Sequence, residues 1–112
     1  MKIAVSSIGK DIGAYVSDVF GRCPYFIIAK IENNEIKETA TIENKNKDQM
    51  SGVGVLTSQM IAKENVEVVI TKNIGPRALN VLRQFDIKIY LGTGSIKEVL
   101  QKFIEGKLER ID

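Results

Sequence analysis

The residues best placed for chemistry in this sequence are gathered at three glycine turns. They are Ser51-Gly52-Val53-Gly54, Gly75-Pro76-Arg77 and Gly92-Thr93-Gly94-Ser95. Each precedes a stretch of helical spacing. A helix N-terminus offers N–H groups without a partner and a partial positive charge, which together favour an anion. Lys72 and Arg77 flank the middle turn and strengthen that field, and Arg22 is a further cation near the thiol of Cys23. The candidate binding set is therefore Arg22, Ser51, Gly52, Gly54, Lys72, Gly75, Arg77, Gly92, Gly94 and Ser95. Short strand-to-helix turns also use glycine and caps for structural reasons alone, while open α/β sheets commonly bind ligands at this edge.

Sulfur supplies the metal-ligating candidates, Cys23 and Met50. Cys23 is the only thiol. A neighbouring guanidinium lowers a thiol pKa when close, so Cys23 suits a soft-metal ligand or a nucleophile. The other reading is a small hydrophobe buried at the start of a strand. Met50 lies in a polar loop and is free to approach a ligand, whereas Met60 falls on a helical stripe and belongs to the core.

Absences narrow the chemistry further. The chain has no histidine, which removes Ser-His and Cys-His catalysis and any imidazole metal site. There is no Cys-x-x-Cys pair for redox work or a closed zinc site. Asp11 and Asp18 lack the third carboxylate that a two-metal nuclease wants. Neither Gly-x-Gly turn continues into a dinucleotide fingerprint. A non-catalytic protein is expected.

The elements that must position these residues follow from patterning. Met1 to Ser7 and Tyr25 to Ile31 read as strands, and Glu35 to Glu43 as a third, paired with the second through the turn at Asn33-Asn34. The intervening stretch, Ser6 to Val19, is irregular and long enough to be functional or mobile. Asn44 to Ser51 is a polar loop. Val53, Leu56, Thr57, Met60 and Ile61 form the stripe of a first helix. Val66 to Ile70 is a β-branched run buried on both faces. Pro76 opens a second helix with Ala78, Leu79, Leu82 and Phe85 on its inner face. Ile87 to Leu91 is the fifth strand. Ser95 and Glu98 fit a capping box, and Ile96, Val99, Leu100, Phe103 and Ile104 make the stripe of the last helix, with Gly106 as its stop. The tail from Lys107 to Asp112 carries no pattern. The fold class is thus α/β, a mixed five-stranded sheet with three helices, in one domain spanning residues 1–112.

Composition agrees. The chain has 112 residues, 44% hydrophobic and 27% charged, with a net charge of +2. The charges are interspersed, so no nucleic acid partner is expected. No apolar run approaches the ~20 residues that span a bilayer. One cysteine gives no disulfide framework, and a cytoplasmic monomer or small homo-oligomer is expected.

Three segments carry a family likeness. Val16-Ser17-Asp18-Val19-Phe20-Gly21-Arg22-Cys23-Pro24-Tyr25-Phe26, Ser51-Gly52-Val53-Gly54 and Ile74-Gly75-Pro76-Arg77-Ala78, with the closing strand Ile87-Lys88-Ile89-Tyr90, resemble the dinitrogenase iron–molybdenum cofactor biosynthesis family. The resemblance runs over nearly the whole chain. It implies a ribonuclease H-like fold with strand order 3-2-1-4-5. It also implies a carrier or store of iron–sulfur or molybdenum-containing cluster precursors, with cofactor-assembly proteins as partners; one relative binds a molybdenum–copper sulfide cluster. Many members have histidine before the first glycine of the Gly-x-Gly turn, where this chain has Ser51. Ligation would then fall to Cys23 or Met50, or give way to N–H and Lys/Arg hydrogen bonds. The alternative function is a metal-free regulatory or interaction module that binds a phosphate-bearing ligand or a protein.

Overall fold

A computed structural model describes residues 1–111. Its elements are β1 (Lys2–Ser7), β2 (Tyr25–Glu32), β3 (Glu35–Glu43), α1 (Val53–Ala62), β4 (Val68–Thr71), α2 (Pro76–Gln84), β5 (Lys88–Leu91), α3 (Ile96–Ile104) and β6 (Glu109–Arg110). The strands form one mixed sheet in the order β3-β2-β1-β4-β5-β6. The expected order holds, and a sixth strand is added to the expected five. It comes from the patternless tail, where Arg110 pairs with Tyr90 and Glu109 with Leu91. A two-residue ladder is too short to leave any alternation in sequence; its position is set by the strand it meets.

β1 runs parallel to β4, and β4 to β5, while β2 is antiparallel to β1 and β3. The apolar runs of β1 and β4 have no polar side because both faces are covered. One face packs Ala4, Val69 and Ile89 with Ile61 of α1, Ala78 and Leu82 of α2, and Phe20, Cys23 and Phe26. The other packs Ile3, Val5, Val68 and Ile70 with Ile96, Val99 and Leu100 of α3. Asn33 and Asn34 both take positive φ, 52° and 63°. That is the two-residue hairpin turn whose twist matches the flanking strands. β3 is a sheet edge, kept from further pairing by a register irregularity opposite Lys30/Ile31 and by exposed Glu35, Lys37, Glu38 and Glu43.

Two residues assigned to buried stripes lie outside. Leu56 is 38% exposed and Phe85 55% exposed. Phe85 is the C-cap of α2, with φ −97° and ψ 13°, so the chain leaves helical geometry before its side chain can turn inward.

The stretch from Ile8 to Val19 is irregular but firmly tied. The Ile8 N–H bonds the carbonyl of Tyr15 at 3.1 Å, and the Ser17 N–H bonds that of Ser6 at 2.9 Å. Short bridges join Ser7 to Val16 and Tyr15 to Ser95. Among the described residues, no helix is long and apolar enough to cross a membrane.

Candidate functional site

The first turns of α1 and α2 meet because the residues between them are small. A Cβ placed on Gly54 would stand 3.3 Å from the Cβ of Ala78, and one on Gly21 would stand 3.4 Å from the Gly54 Cα. The two helix starts and the Phe20-to-Cys23 turn can therefore approach closely. They leave a cleft of about 410 Å³ lined by Val19, Gly21, Arg22, Val53, Gly54, Gly75, Pro76, Arg77 and Ala78.

Both helices start without a cap. Gly52, the N-cap of α1, has φ 69°, a left-handed geometry that suits glycine, and no side chain accepts from the first-turn N–H groups. Gly75 caps α2 with no side chain, Pro76 occupies its first turn, and neither helix has an acidic residue there. By helix geometry the first N–H groups have no carbonyl in their own helix. Both positive ends thus open on one cleft, with the side chains of Arg22 and Arg77 at its wall and no carboxylate among its lining residues. Arg22 has a second task. Its guanidinium donates to the carbonyls of Lys47 (2.8 Å) and Gln49 (3.0 Å), which holds the polar 44–51 loop against the cleft wall. Asn44 anchors the base of that loop, donating to the carbonyl of Gly21 at 2.9 Å and accepting from the Asn46 N–H.

The third turn behaves differently. α3 carries the expected capping box, with Ser95 Oγ accepting from the Glu98 N–H and the Glu98 carboxylate accepting from the Ser95 N–H. Hydrogen bonds from the Ser95 side chain and backbone hold that carboxylate below its ordinary pKa. The Ile96 and Lys97 N–H groups are taken by the carbonyls of Ala14 (2.8 Å) and Ile12 (3.0 Å). Gly94 gives its carbonyl to Val16, and Gly92 is buried. The three turns therefore do not share one crevice, and Gly92, Gly94 and Ser95 are not among the residues lining the α1–α2 cleft. The acceptors that close α3 are carbonyls of a loop without sequence periodicity, so nothing in the residue types announces them.

The remaining candidates divide by position. Arg22, Gly54, Gly75 and Arg77 line the cleft, and Gly52 and Ser51 stand exposed at the entry to α1. Lys72 points elsewhere, paired with Asp18 at 3.0 Å and lining a separate depression. Met50 is 96% exposed. Cys23 is fully buried among Phe20, Phe26 and Ala4. Burial pushes its thiol up to about 12, against smaller lowering by hydrogen bonds from its surroundings, and its Sγ donates to the carbonyl of Tyr25 at 3.3 Å. Arg22 takes no part in that shift; its guanidinium is turned to the Lys47 and Gln49 carbonyls, so adjacency in sequence does not activate the thiol. Of the two readings open for Cys23, the buried hydrophobe is the one the packing supports. Val19, Gly21, Val53, Pro76 and Ala78 line the cleft outside the expected set; their proximity depends on how α1, α2 and the Phe20-to-Cys23 turn pack. Among the described residues, no group of three or more Cys, Asp or Glu is placed to hold a metal ion.

Comparison with known proteins bears on this geometry. MJ0580 of Methanocaldococcus jannaschii, uncharacterised, is 44% identical over 98 residues, covering 87% of this chain and 83% of its own. The crystal structure of MJ0327 from the same organism superposes with a TM-score of 0.77 at 33% identity, covering 100% of this chain and 95% of that one. The apo form of the orange protein from Desulfovibrio gigas gives a TM-score of 0.88 at 24% identity over 98% of this chain and 92% of that one, a likeness of fold. The sequence matches the family described as dinitrogenase iron-molybdenum cofactor over residues 1–106. With that match extending over both helix starts and the cleft between them, the chain belongs to the dinitrogenase iron-molybdenum cofactor family.

Proposed function

We propose that the α1–α2 cleft binds an anionic metal–sulfur cluster or molybdenum-containing cofactor precursor as cargo, and that the chain carries it without catalysing a reaction. Family membership connects the chain with iron–molybdenum cofactor biosynthesis. The observation that carries the proposal is the opening of two uncapped, acid-free helix starts onto one cleft beside Arg22 and Arg77.

The donor set indicates the form of the cargo. A cluster built on the protein needs thiolates or imidazoles. This chain has no histidine, and its one thiol is buried with a pKa raised to about 12. The cargo therefore arrives assembled and is held by N–H groups and guanidinium charge. Met50, exposed in the loop that Arg22 holds, is a soft donor this reading would assign to it. The walls suit such a species. Val19, Val53, Pro76 and Ala78 contribute apolar surface, which a polarisable sulfide-rich cluster tolerates better than a strongly hydrated phosphate does.

Anaerobic titration with a preformed molybdenum–sulfide anion, followed by absorption and metal analysis, tests the proposal. Saturation at one cluster per chain is expected. Arg77→Ala should weaken binding by about tenfold, in line with loss of a charge-assisted contact, and Cys23→Ala should leave stoichiometry unchanged. Occupancy at a hundredfold excess over Kd should add about 2.7 kcal/mol of stability. Loss of the cluster in Cys23→Ala would overturn the hydrogen-bonded mode. Stabilisation by pyrophosphate but not by the metal–sulfide anion would favour the metal-free module instead.

A further inference from the structure

Two buried polar side chains converge on one carbonyl of the cleft wall. Thr57 lies on the inward stripe of α1 and Asn44 at the base of the 44–51 loop, and both are fully buried. Thr57 Oγ1 donates to the carbonyl of Gly21 at 2.8 Å, and Asn44 Nδ2 donates to the same oxygen at 2.9 Å. Valine has nearly the shape of threonine and would fill position 57 without the cost of burying a hydroxyl. What the hydroxyl adds is a fixed direction for the Gly21 carbonyl.

Gly21 and Arg22 are the central residues of the turn that the Cys23 N–H closes on the Phe20 carbonyl at 3.4 Å. In a trans peptide, as here, the N–H of the following residue points opposite to the carbonyl. The Gly21 oxygen goes inward to Asn44 and Thr57, so the Arg22 N–H is turned outward. Flipping that central peptide needs a positive φ at one of the two residues, and neither has one. The Arg22 N–H donates to no acceptor among the described residues. Gly21 and Arg22 both line the cleft, and a Cβ on Gly21 would stand 3.4 Å from the backbone N of Gly54 at the start of α1.

We propose that Asn44 and Thr57 are positioning residues for the cleft. By holding the Gly21 carbonyl inward they aim the Arg22 backbone N–H at the occupant, as a donor from a third segment of the chain. This deepens the cargo reading above and rests on it. The other backbone donors are the first-turn N–H groups of Val53, Gly54 and Val55 in α1 and of Arg77 and Ala78 in α2. An N–H already fixed in direction costs no reorganisation when a negative charge arrives. Donors drawn from three segments suit an anion that carries several acceptor atoms, as a sulfide-bridged species does.

The test is amide hydrogen exchange on the isotopically labelled full chain during anaerobic titration with tetrathiomolybdate. In the free chain the Arg22 amide should exchange at least about tenfold faster than the Asn44 amide, which is bonded to the Pro24 carbonyl at 3.0 Å. At saturation it should slow by about tenfold or more. Thr57→Val should weaken binding by about three- to tenfold and reduce that slowing, while Thr57→Ser, which keeps the hydroxyl, should stay within about twofold of wild type. A Thr57→Val chain with lowered stability but unchanged affinity would leave the hydroxyl a structural role only and overturn the proposal. So would an Arg22 amide left unprotected at saturation while those of Gly54 and Ala78 gain protection; the cleft would then bind without this donor. The wild-type measurement needs no variant to fold. No saturable change at any of these amides would instead remove the cleft as the binding place, and the proposal with it.

Discussion

Cys23 offers the sharpest test, because its two readings predict opposite reactivity. As a cluster ligand it would be a thiolate at the surface; in the fold it is a neutral, fully buried thiol with a pKa raised from an ordinary 9.0 to about 12. Three pH units leave about a thousandfold less thiolate in the closed state at any pH below both values. Access imposes a separate limit. A disulfide reagent cannot touch Sγ until Phe20 and Phe26 move, and once they do the thiol regains its ordinary pKa. The two factors therefore do not multiply, and labelling goes by whichever route is faster. The opening route exposes much of one core layer and so uses a sizeable share of a global stability of ~5–15 kcal/mol. Labelling of the native chain at pH 8 should thus be at least about a thousandfold slower than in denaturant. The rate should rise with sub-denaturing urea, as expected for an opening that exposes surface. A native thiol that reacts within about tenfold of the unfolded rate would refute the burial argument and restore Cys23 as a candidate ligand.

The same thiol gives stability a pH dependence. Above pH 9 the unfolded chain loses the Cys23 proton while the folded chain keeps it, so stability is intact below about 9 and falls towards about 12. The wild type should lose about 1.4 kcal/mol per pH unit more than Cys23→Ala across that window, read from urea midpoints. Gly92→Ala should destabilise by about 1–3 kcal/mol in denaturant unfolding, because its Cβ would meet Val99 Cγ1 at 3.0 Å and Ile70 Cγ2 at 3.1 Å inside the core. Asn44→Ala should also cost about 1–3 kcal/mol: Thr57 still donates to the carbonyl of Gly21, but the Asn46 N–H loses its acceptor. Arg22→Ala should leave global stability nearly unchanged yet speed tryptic cleavage at Lys45 and Lys47 several-fold, since two tethers on the 44–51 loop go with the guanidinium.

How far the cleft could be read from residue order depends on chain handedness. Leaving β3, the chain crosses through α1 to the parallel strand β4, and from β4 through α2 to the parallel strand β5. Both crossings go the same way along the sheet, and right-handedness then places both helices on one face. The alternation of strands and helices, the Gly52 and Gly75 breaks and the stripes at Ile61 and Leu82 were all visible in the sequence, so the meeting of two helix starts was implicit there. α3 escapes that rule because it leads from β5 to the antiparallel strand β6, a connection without fixed hand. Its face is decided by packing of Ile96, Val99 and Leu100 against Ile3, Val5 and Ile70. β6 itself left no pattern in the sequence, so β5 looked like the end of the sheet and the last glycine turn like an equal of the other two. With α3 on the opposite face, the first N–H groups of that helix go to the carbonyls of Ala14 and Ile12, while the starts of α1 and α2 face the cleft.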